Sequence, residues 1–380
     1  MIVAAEEGYI NILEWIRDNL PDIWKPYESI LWVAADNGHI ETLKFLWDEM
    51  NWDDIDLNGT CDVAAASGHF HVVKWLVETG CVDTENIEND DICASAAIGG
   101  NTEVLEYLWE NSFKWGPDTC SKASANGHLN TLKWARENGC PWDERTCSEA
   151  VRGGHLHILE WARENGCPWD ERICSQAANG KLDILEWCRS NGCPWDEDTC
   201  SNASANGYLE ILKWAHWVKG CPWDETTCSK AAENGHFHVL KWARENGCPW
   251  DTNTCSGAAR CGRFDILMWA RENGCPWDRL TCRLIVPSPW SKPLAGRCDM
   301  FRWLMVNGCP RSEDICSRSA LCGDIVIVMC ARGQGCPWDD VTWYGAVESG
   351  NLELCGKRKT WLPRRCILRR QSAKRCAGAC

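Results

Sequence analysis

A repeat of about 27 residues constrains the possible folds of this chain more than any other feature of its sequence. In the central part, cysteines recur at steps of 26 to 28 residues, at positions 120, 147, 174, 200, 228, 255 and 282. The units that begin at Cys147 and Cys228 agree at most apolar positions and differ at polar ones. A period of this length is typical of a solenoid, in which each unit buries its apolar surface against its neighbours.

Each unit has the pattern of two short helices. We predict that Thr146 N-caps the first helix and that Glu149, three residues later, completes a capping box. The same position in other units is occupied by Thr119, Thr199, Thr227, Thr254 and Thr281. The second helix is predicted over residues 155–164, and its apolar face is too wide for a helix that is covered on one side only. Stacked copies of the unit must therefore cover it.

The loop that follows the second helix carries the most regular motif of the chain. Asn165-Gly166 ends the helix, because glycine tolerates the left-handed position after a helix. The sequence Cys-Pro-Trp-Asp then follows, and its seven copies start at Cys140, Cys167, Cys193, Cys221, Cys248, Cys275 and Cys336. Ordering a unit costs about 1.5 kcal/mol of conformational free energy per residue, whereas burying one tryptophan contributes about 1.5–3 kcal/mol of stabilisation. A single unit should therefore not fold without its neighbours.

The stretch from Gly154 to Asp170, Gly-His-Leu-x-Ile-Leu-Glu-Trp followed by Gly-Cys-Pro-Trp-Asp, resembles the second half of an ankyrin repeat. The resemblance implies that Trp161 and Trp169 are packing residues. The first half differs from the family and the unit is shorter than the usual repeat of about 33 residues, so we expect a reduced hairpin. The chain is similar to the short Cys-Pro-Trp-Asp ankyrin repeats of algae, oomycetes and large DNA viruses of protists.

This resemblance implies an all-α, ankyrin-type helical repeat solenoid of about thirteen short two-helix units with reduced hairpin loops. We assign the array to residues 1–355 and expect it to be irregular at 283–308. There, Pro287, Pro289 and Pro293 exclude a normal first helix. Residues 356–380 lack the period and contain nine Lys or Arg and no acidic residue. We expect this basic tail to be disordered, and it is either a nucleic-acid or nuclear-import segment or a vestigial end.

Charge and composition restrict the partners and the compartment. The chain carries a formal charge of −15 although its tail is basic, so the array itself is strongly acidic and we do not expect it to bind nucleic acid. The sequence has no apolar run long enough for a membrane span and no signal peptide at its start. We expect an intracellular, cytoplasmic protein, with the nucleus as an alternative, and 28 cysteines that are mostly free thiols in the core.

Residue types that carry chemistry do not converge on one site. The cysteines show no Cys-x2-Cys knuckle, so core packing is the preferred interpretation, with metal or redox roles as alternatives. His155 and His157 lie two apart on a helix and cannot share a metal, which makes a structural His beside an exposed one the simpler interpretation. No phosphate-binding loop or nucleophile motif is present. We therefore predict no cofactor and no catalytic activity.

The row of tryptophans could stack with the bases of a single-stranded nucleic acid, but the surrounding charge is negative. A repeat solenoid instead offers its concave face to a protein partner. Positions that vary between units while the core repeats are our candidate contacts, although solvated variation explains any one of them equally well. They are Glu144, Arg145, Glu171, Arg172, Glu197, Asp198, Glu225, Thr226, Thr252 and Asn253 at the loop tips, and Glu149, Gln176, Asn202 and Lys230 on the first helices.

Because acidic residues outnumber basic ones at these positions, the predicted function is a scaffold that binds a basic protein partner in a salt-sensitive manner. Two alternatives remain open: a structural spacer that self-assembles, and a degenerate family member without a partner, which the irregular unit and the aberrant tail favour.

Overall fold

A computed structural model describes residues 1–49, 58–80, 82, 90–218, 220–286, 297–310, 312, 314–336 and 339–350. It divides into two compact units. The first consists of Met1–Ala177 with Lys181–Trp195, and the second consists of Ala178–Gly180 with the chain from Asp196 onward. All regular structure in the described residues is helical, and none of these helices combines the length and apolarity needed to cross a bilayer.

The first unit contains seven repeats of a first and a second helix. Its first helices are Ile2–Glu6, Ser29–Asp36, Asn58–Ser67, Asp90–Gly99, Pro117–Ala125, Glu144–Gly153 and Arg172–Ala177. The second helices that follow them are Ile10–Asn19, Ile40–Glu49, Phe70–Glu78, Thr102–Glu110, Leu129–Glu137, Leu156–Glu164 and Leu182–Ser190.

The second unit continues the same alternation. Its first helices are Glu197–Ala205, Glu225–Asn234, Thr252–Arg260, Arg279–Arg283, Ile315–Leu321 and Asp340–Glu348. Its second helices are Leu209–Lys213, which continues as the π-helix Trp214–Val218, and Phe237–Glu245, Phe264–Glu272, Arg297–Val306 and Ile325–Gly333. The described residues thus hold thirteen first helices, which confirms the predicted number of repeats. The linking segments contain no strand where they are described, in agreement with a reduced hairpin.

The N-cap of each first helix for which a threonine cap was predicted lies three residues earlier, for example at Asp143 instead of Thr146. Asp143, the last residue of Cys-Pro-Trp-Asp, is the N-cap, and its carboxylate accepts a hydrogen bond from the backbone N–H of Arg145 at 3.0 Å. The N-cap role predicted for Thr146 is therefore wrong. This threonine lies in the first turn and is completely buried. Aspartate is at least as good an N-cap as threonine, and its negative charge is stabilised by the positive end of the helix dipole. The helix therefore starts after the aspartate.

Small side chains let successive first helices pack very closely. In the first unit, Ala150 and Val151 are completely buried at the centre of one such helix, and Ala123 of the preceding one is buried as well. A Cβ atom at Gly153 would collide with the carbonyl oxygen of Ala125, so the two backbones are nearly in contact. Second helices bury a narrower stripe, represented by Ile158, Leu159 and Ala162. The densest part of the core therefore lies between first helices.

In five of the described repeats, a histidine before the second helix connects the repeat to the one before it. The ring of His155 lies over Gly127, and its Nε2 is 3.2 Å from the carbonyl oxygen of Ala125. Equivalent contacts to the preceding repeat are made by His39, His69, His128 and His236. His157, two residues later, is exposed. The predicted pairing of a structural with an exposed histidine is confirmed.

The motif cysteines form a second link between repeats. The thiol of Cys167 donates to the backbone carbonyl of Asp143 at 3.4 Å. The corresponding bonds, at 3.3–3.6 Å, are donated by Cys140, Cys193, Cys221, Cys248, Cys275 and Cys309. Every free cysteine in the described residues is buried except Cys261 and Cys322, which are half-buried. Packing is therefore the main role of these thiols, and a disulfide joins only one described pair, Cys298 and Cys330.

Two predicted segments lie partly or wholly outside the described residues. The three prolines of the irregular segment 283–308 fall in 287–296, which is not described, while the helix Arg297–Val306 follows directly. The first helix before that gap, Arg279–Arg283, has only five residues. The basic tail at 356–380 also lies outside the described residues, so its disorder stays a prediction.

Replacing Gly127 by alanine should destabilise the array more than replacing Gly139. Both glycines have φ near +86°, but a Cβ at Gly127 would lie 2.9 Å from the His155 ring, whereas a Cβ at Gly139 meets no atom within 4 Å. Both variants bear the left-handed strain of about 1–2 kcal/mol, and Gly127→Ala adds about 1–3 kcal/mol of overpacking. Urea unfolding followed by circular dichroism measures the difference, and equal midpoints would show that the His155 contact does not matter.

Candidate protein-binding surface

The loop tips are built by the Asp cap. Because Asp143 stops the loop and starts the helix, the next two residues, Glu144 and Arg145, occupy the first turn at the repeat's edge. The same arrangement repeats at 171–172, 197–198, 225–226 and 252–253. We call these pairs, together with Glu149, Gln176, Asn202 and Lys230, the loop-tip surface. They are exposed or half-buried, as expected for candidate contacts.

In the first unit, ion pairs connect consecutive tips. Arg145 lies 2.6 Å from the carboxylate of Asp118 in the preceding repeat and 2.9 Å from its own cap, Asp143. Arg172 repeats this arrangement with Asp170 at 2.5 Å and with Glu144 at 3.5 Å. Exposed pairs of this kind contribute only about 0–1 kcal/mol each, but they neutralise the acids involved. Most of the predicted charged contacts in this unit are therefore already paired within the chain.

The two first-helix candidates of this unit are also engaged or partly covered. Glu149 forms an ion pair with Arg152, one turn along its helix. Gln176 is half-buried, and its Oε1 has no hydrogen-bond partner among the described residues. Glu171 is exposed and takes part in no ion pair within the described chain. Of the acids predicted here, only Glu171 forms no ion pair among the described residues, although it lies beside the charge of Arg172.

In the second unit, the first tip consists of acids alone. Asp196 caps the helix, and Glu197 and Asp198 follow it, both exposed. Burial raises the pKa of Asp196, and the charge of Asp198 raises it further. Across the described residues, none of the three acids forms an ion pair. Like charges that crowd one helix start destabilise one another, so this tip attracts cations.

The next tips of the second unit are less charged. Glu225 is exposed and has no ion pair within the described residues, whereas the tip at 252–253 carries no charge. Asn202 is half-buried on its first helix. Lys230 lies 3.7 Å from Glu233, which is also 2.5 Å from Arg260 of the following repeat. The structure thus separates the predicted set into neutralised residues and a smaller group of uncompensated acids, Glu171, Glu197, Asp198 and Glu225.

The tryptophans are more exposed than predicted. Trp161 and Trp169 do pack, as the resemblance implied, but both are only half-buried. The guanidinium of Arg163 lies 4.0 Å above the ring of Trp169, whose other contact is the edge of Trp187 in the next repeat at 5.9 Å. The arginine-over-tryptophan pair recurs as Arg136–Trp142, Arg189–Trp195, Arg244–Trp250 and Arg271–Trp277.

The sequence analysis recognised the row of tryptophans but missed its partial exposure and its arginine cover, because the core assignment came from the register in the repeat. The sequence does contain the signal, since Arg stands six residues before the motif tryptophan in Trp-Ala-Arg-Glu-Asn-Gly-Cys-Pro-Trp. Together with Arg163 and Trp169, the acids Glu160 and Glu164 line a shallow open groove.

Among the described residues, no group of His, Cys, Asp or Glu is arranged to hold a metal ion.

Comparison with known proteins agrees with this architecture. Residues 1–86 match a family model described as ankyrin repeats (3 copies). A stretch of 109 residues is 36% identical to ankyrin repeat protein R837 of Acanthamoeba polyphaga mimivirus, which corresponds to 28% of this chain and 16% of that protein. The chain therefore spans only a small part of this relative, and the similarity concerns the repeats alone.

Solved structures with a similar fold are helical repeat proteins. The pentatricopeptide repeat protein PPR10 from maize is 12% identical, with 93% of this chain and 62% of that chain covered and a TM-score of 0.38. PPR10 in complex with an 18-nt psaJ RNA element is 14% identical, with 94% and 62% covered and a TM-score of 0.42. Residues 1–86 therefore match ankyrin repeats, and the described residues that follow them repeat the same two-helix pattern.

Proposed function

We propose that the chain is a non-catalytic scaffold that binds a basic segment of a protein partner through the loop-tip surface of its repeats. Ankyrin repeats are generally protein-interaction modules. The observation that carries the proposal is the acidic tip at Asp196, Glu197 and Asp198, to which the described residues supply no counter-charge. A basic partner would supply it.

A comparison of the charges at the loop tips of different repeats also supports a contact with a basic partner. Tips in the first unit pair Arg145 and Arg172 with acids of the same and the preceding repeat. The tips at 197–198 and 225 have acids without these arginines. An interface gains specificity and association rate from unpaired charge that complements its partner. We therefore locate the main contact at residues 196–198 and 224–225.

We also propose an intracellular, cytoplasmic location. A reducing compartment keeps thiols free, and the described chain buries nineteen free cysteines between its helices. A phosphate backbone does not suit the acidic tips, so nucleic acid is not the proposed partner of the array. Entry into the nucleus through the basic segment 356–380 is an additional hypothesis, tested by the distribution of the chain with and without that segment.

A structural spacer is the second candidate, favoured by a separate observation. On the first helix Asp340–Glu348, Val341 is 62% exposed and Tyr344 is 65% exposed. The central repeats have polar residues at the equivalent positions, for example Arg145 and Ser148, so a second copy could cover this apolar pair. Sedimentation velocity distinguishes the candidates, because a spacer self-associates at micromolar concentration whereas a scaffold stays monomeric until its partner is added.

Neutralising the uncompensated acids should weaken partner binding. The variant Glu197→Gln, Asp198→Asn, Glu225→Gln removes about 0.5 kcal/mol of attraction per charge, which together lowers affinity for a lysine-rich peptide about tenfold. The matched control Glu103→Gln, Glu106→Gln, Glu110→Gln makes the same charge change on the exposed face of a second helix. Fluorescence anisotropy at low and moderate salt measures both. An equal loss in the control would show that net charge alone governs binding, which would refute the proposed location.

Replacing Asp196 by asparagine should stabilise the protein. Asparagine keeps the N-cap, and it removes the charge that Asp198 and burial disfavour, so we expect a gain of about 0.5 kcal/mol at pH 7. Because folding raises the pKa of Asp196, the charged carboxylate costs stability above that pKa. The gain should therefore disappear as the pH falls and the aspartate is protonated.

Asp143→Asn is the matched control for this effect. It also keeps the cap, but it loses the 2.9 Å contact with Arg145 and should cost about 0.5 kcal/mol. Urea midpoints at pH 7 and pH 4 measure both variants. If the two substitutions changed the midpoint in the same direction, the acids at 196–198 would not be uncompensated in solution.

A further inference from the structure

One repeat departs from all its neighbours in the second helix. The step from Cys200 to Cys228 is 28 residues, one more than the usual 27, and Trp-Ala-His-Trp-Val-Lys-Gly stands where other units have Trp-Ala-Arg-Glu-Asn-Gly. The structure absorbs the extra residue as the π-helix Trp214–Val218. An insertion of one residue is what a π-turn accommodates, and such turns are frequent at functional sites.

The insertion removes the arginine that covers the motif tryptophan elsewhere. In five repeats a guanidinium lies 4.0–4.3 Å above that ring. Here the ring of His216 stacks on Trp223 instead, with centroids 3.5 Å apart and planes at 14°. A histidine thus stands in place of a permanent positive charge. The arginine that covers the motif tryptophan in five other repeats is therefore missing here.

The insertion also adds an exposed aromatic ring. Trp217 packs its edge against Trp242 of the next repeat, with centroids 5.0 Å apart and planes at 73°. It remains 60% exposed, and Val218 beside it is 63% exposed. The residue directly after the arginine is polar in both neighbouring repeats, Ser190 in one and Glu245 in the other. We call Trp217, Trp223 and Trp242 with His216 the aromatic surface.

We infer that the aromatic surface binds an arginine side chain of the partner, with the guanidinium stacked on Trp217. The chain itself provides the precedent, because it places its own guanidinium groups over tryptophan rings five times. Asp224 and Glu225 follow Trp223 directly, so a basic segment at these acids reaches the aromatic surface within a few residues. The neighbouring cation Lys213 is neutralised by Glu210 at 2.8 Å. This inference rests on the proposed function and specifies the partner's chemistry.

Arginine suits this surface better than lysine. Its guanidinium is planar and weakly hydrated, so it stacks on an indole face with little desolvation cost, whereas an ammonium group is compact and strongly hydrated. The acids at 196–198 and 224–225 attract both side chains about equally through charge. A preference for arginine over lysine therefore measures stacking on the aromatic surface. The affinity that both side chains share measures attraction by the acidic tips.

The test uses the full chain and two labelled peptides, one of alternating glycine and arginine and one of alternating glycine and lysine. Fluorescence anisotropy should show that the wild-type chain binds the arginine peptide about threefold to thirtyfold more tightly. Trp217→Ala should abolish this preference and leave binding of the lysine peptide unchanged. The control Trp15→Ala, at a tryptophan that is 56% exposed in the first unit, should keep the preference.

A second variant guards against local misfolding. Replacing residues 216–219 by Arg-Glu-Asn restores the regular repeat, so it should fold at least as well as the wild-type chain while losing the preference for arginine. Retention of the preference in both Trp217→Ala and this variant would overturn the inference. Weaker binding of both peptides on neutralising Glu197, Asp198 and Glu225, with an unchanged preference for arginine, would support both the inference and the proposed function. Failure of wild-type chain to bind either peptide would refute both the proposed function and the inference.

Discussion

The contact between first helices of successive repeats is the interaction on which the rest of the structure depends. Ala123, Ala150 and Gly153 allow two backbones to approach almost to contact. The His155 ring contacts the carbonyl group of Ala125 at the end of one first helix, and the thiol of Cys167 donates to the carbonyl group of Asp143 at the start of the next. Since no repeat buries enough surface alone, these contacts between neighbours supply the stability, and polar positions at the edges are left free to vary.

The sequence was sufficient to predict what repetition determines. The period, the two helices, the buried thiols and the structural histidine all follow from positions that recur in each unit. The N-cap was wrongly placed at Thr146 because both Thr146 and Asp143 are good caps, and only the backbone shows that the helix starts at the aspartate. Propensity alone could not decide between them.

The candidate surface was harder to predict, because the charge and exposure of its residues depend on side chains from adjacent repeats. Variation between units identified the loop tips correctly as exposed. It could not show that Arg145 neutralises Asp118, 27 residues earlier, or that the tip at 196–198 has acids only. The exposure of Trp169 and Trp217 was missed for a related reason: the resemblance gave a register, whereas exposure depends on what the next repeat places against the ring.

Most repeats share one uniform architecture, and a few differ from it in charge and aromatic content. We propose that partner binding occurs at those few repeats. Hydrogen–deuterium exchange of the full chain, with and without an arginine-rich peptide, tests this most directly. We predict slower exchange in the first turns of Glu197–Ala205 and Glu225–Asn234 and in Trp214–Val218, with little change elsewhere. Protection confined to other second helices, such as Thr102–Glu110, or spread evenly over all repeats, would contradict the account.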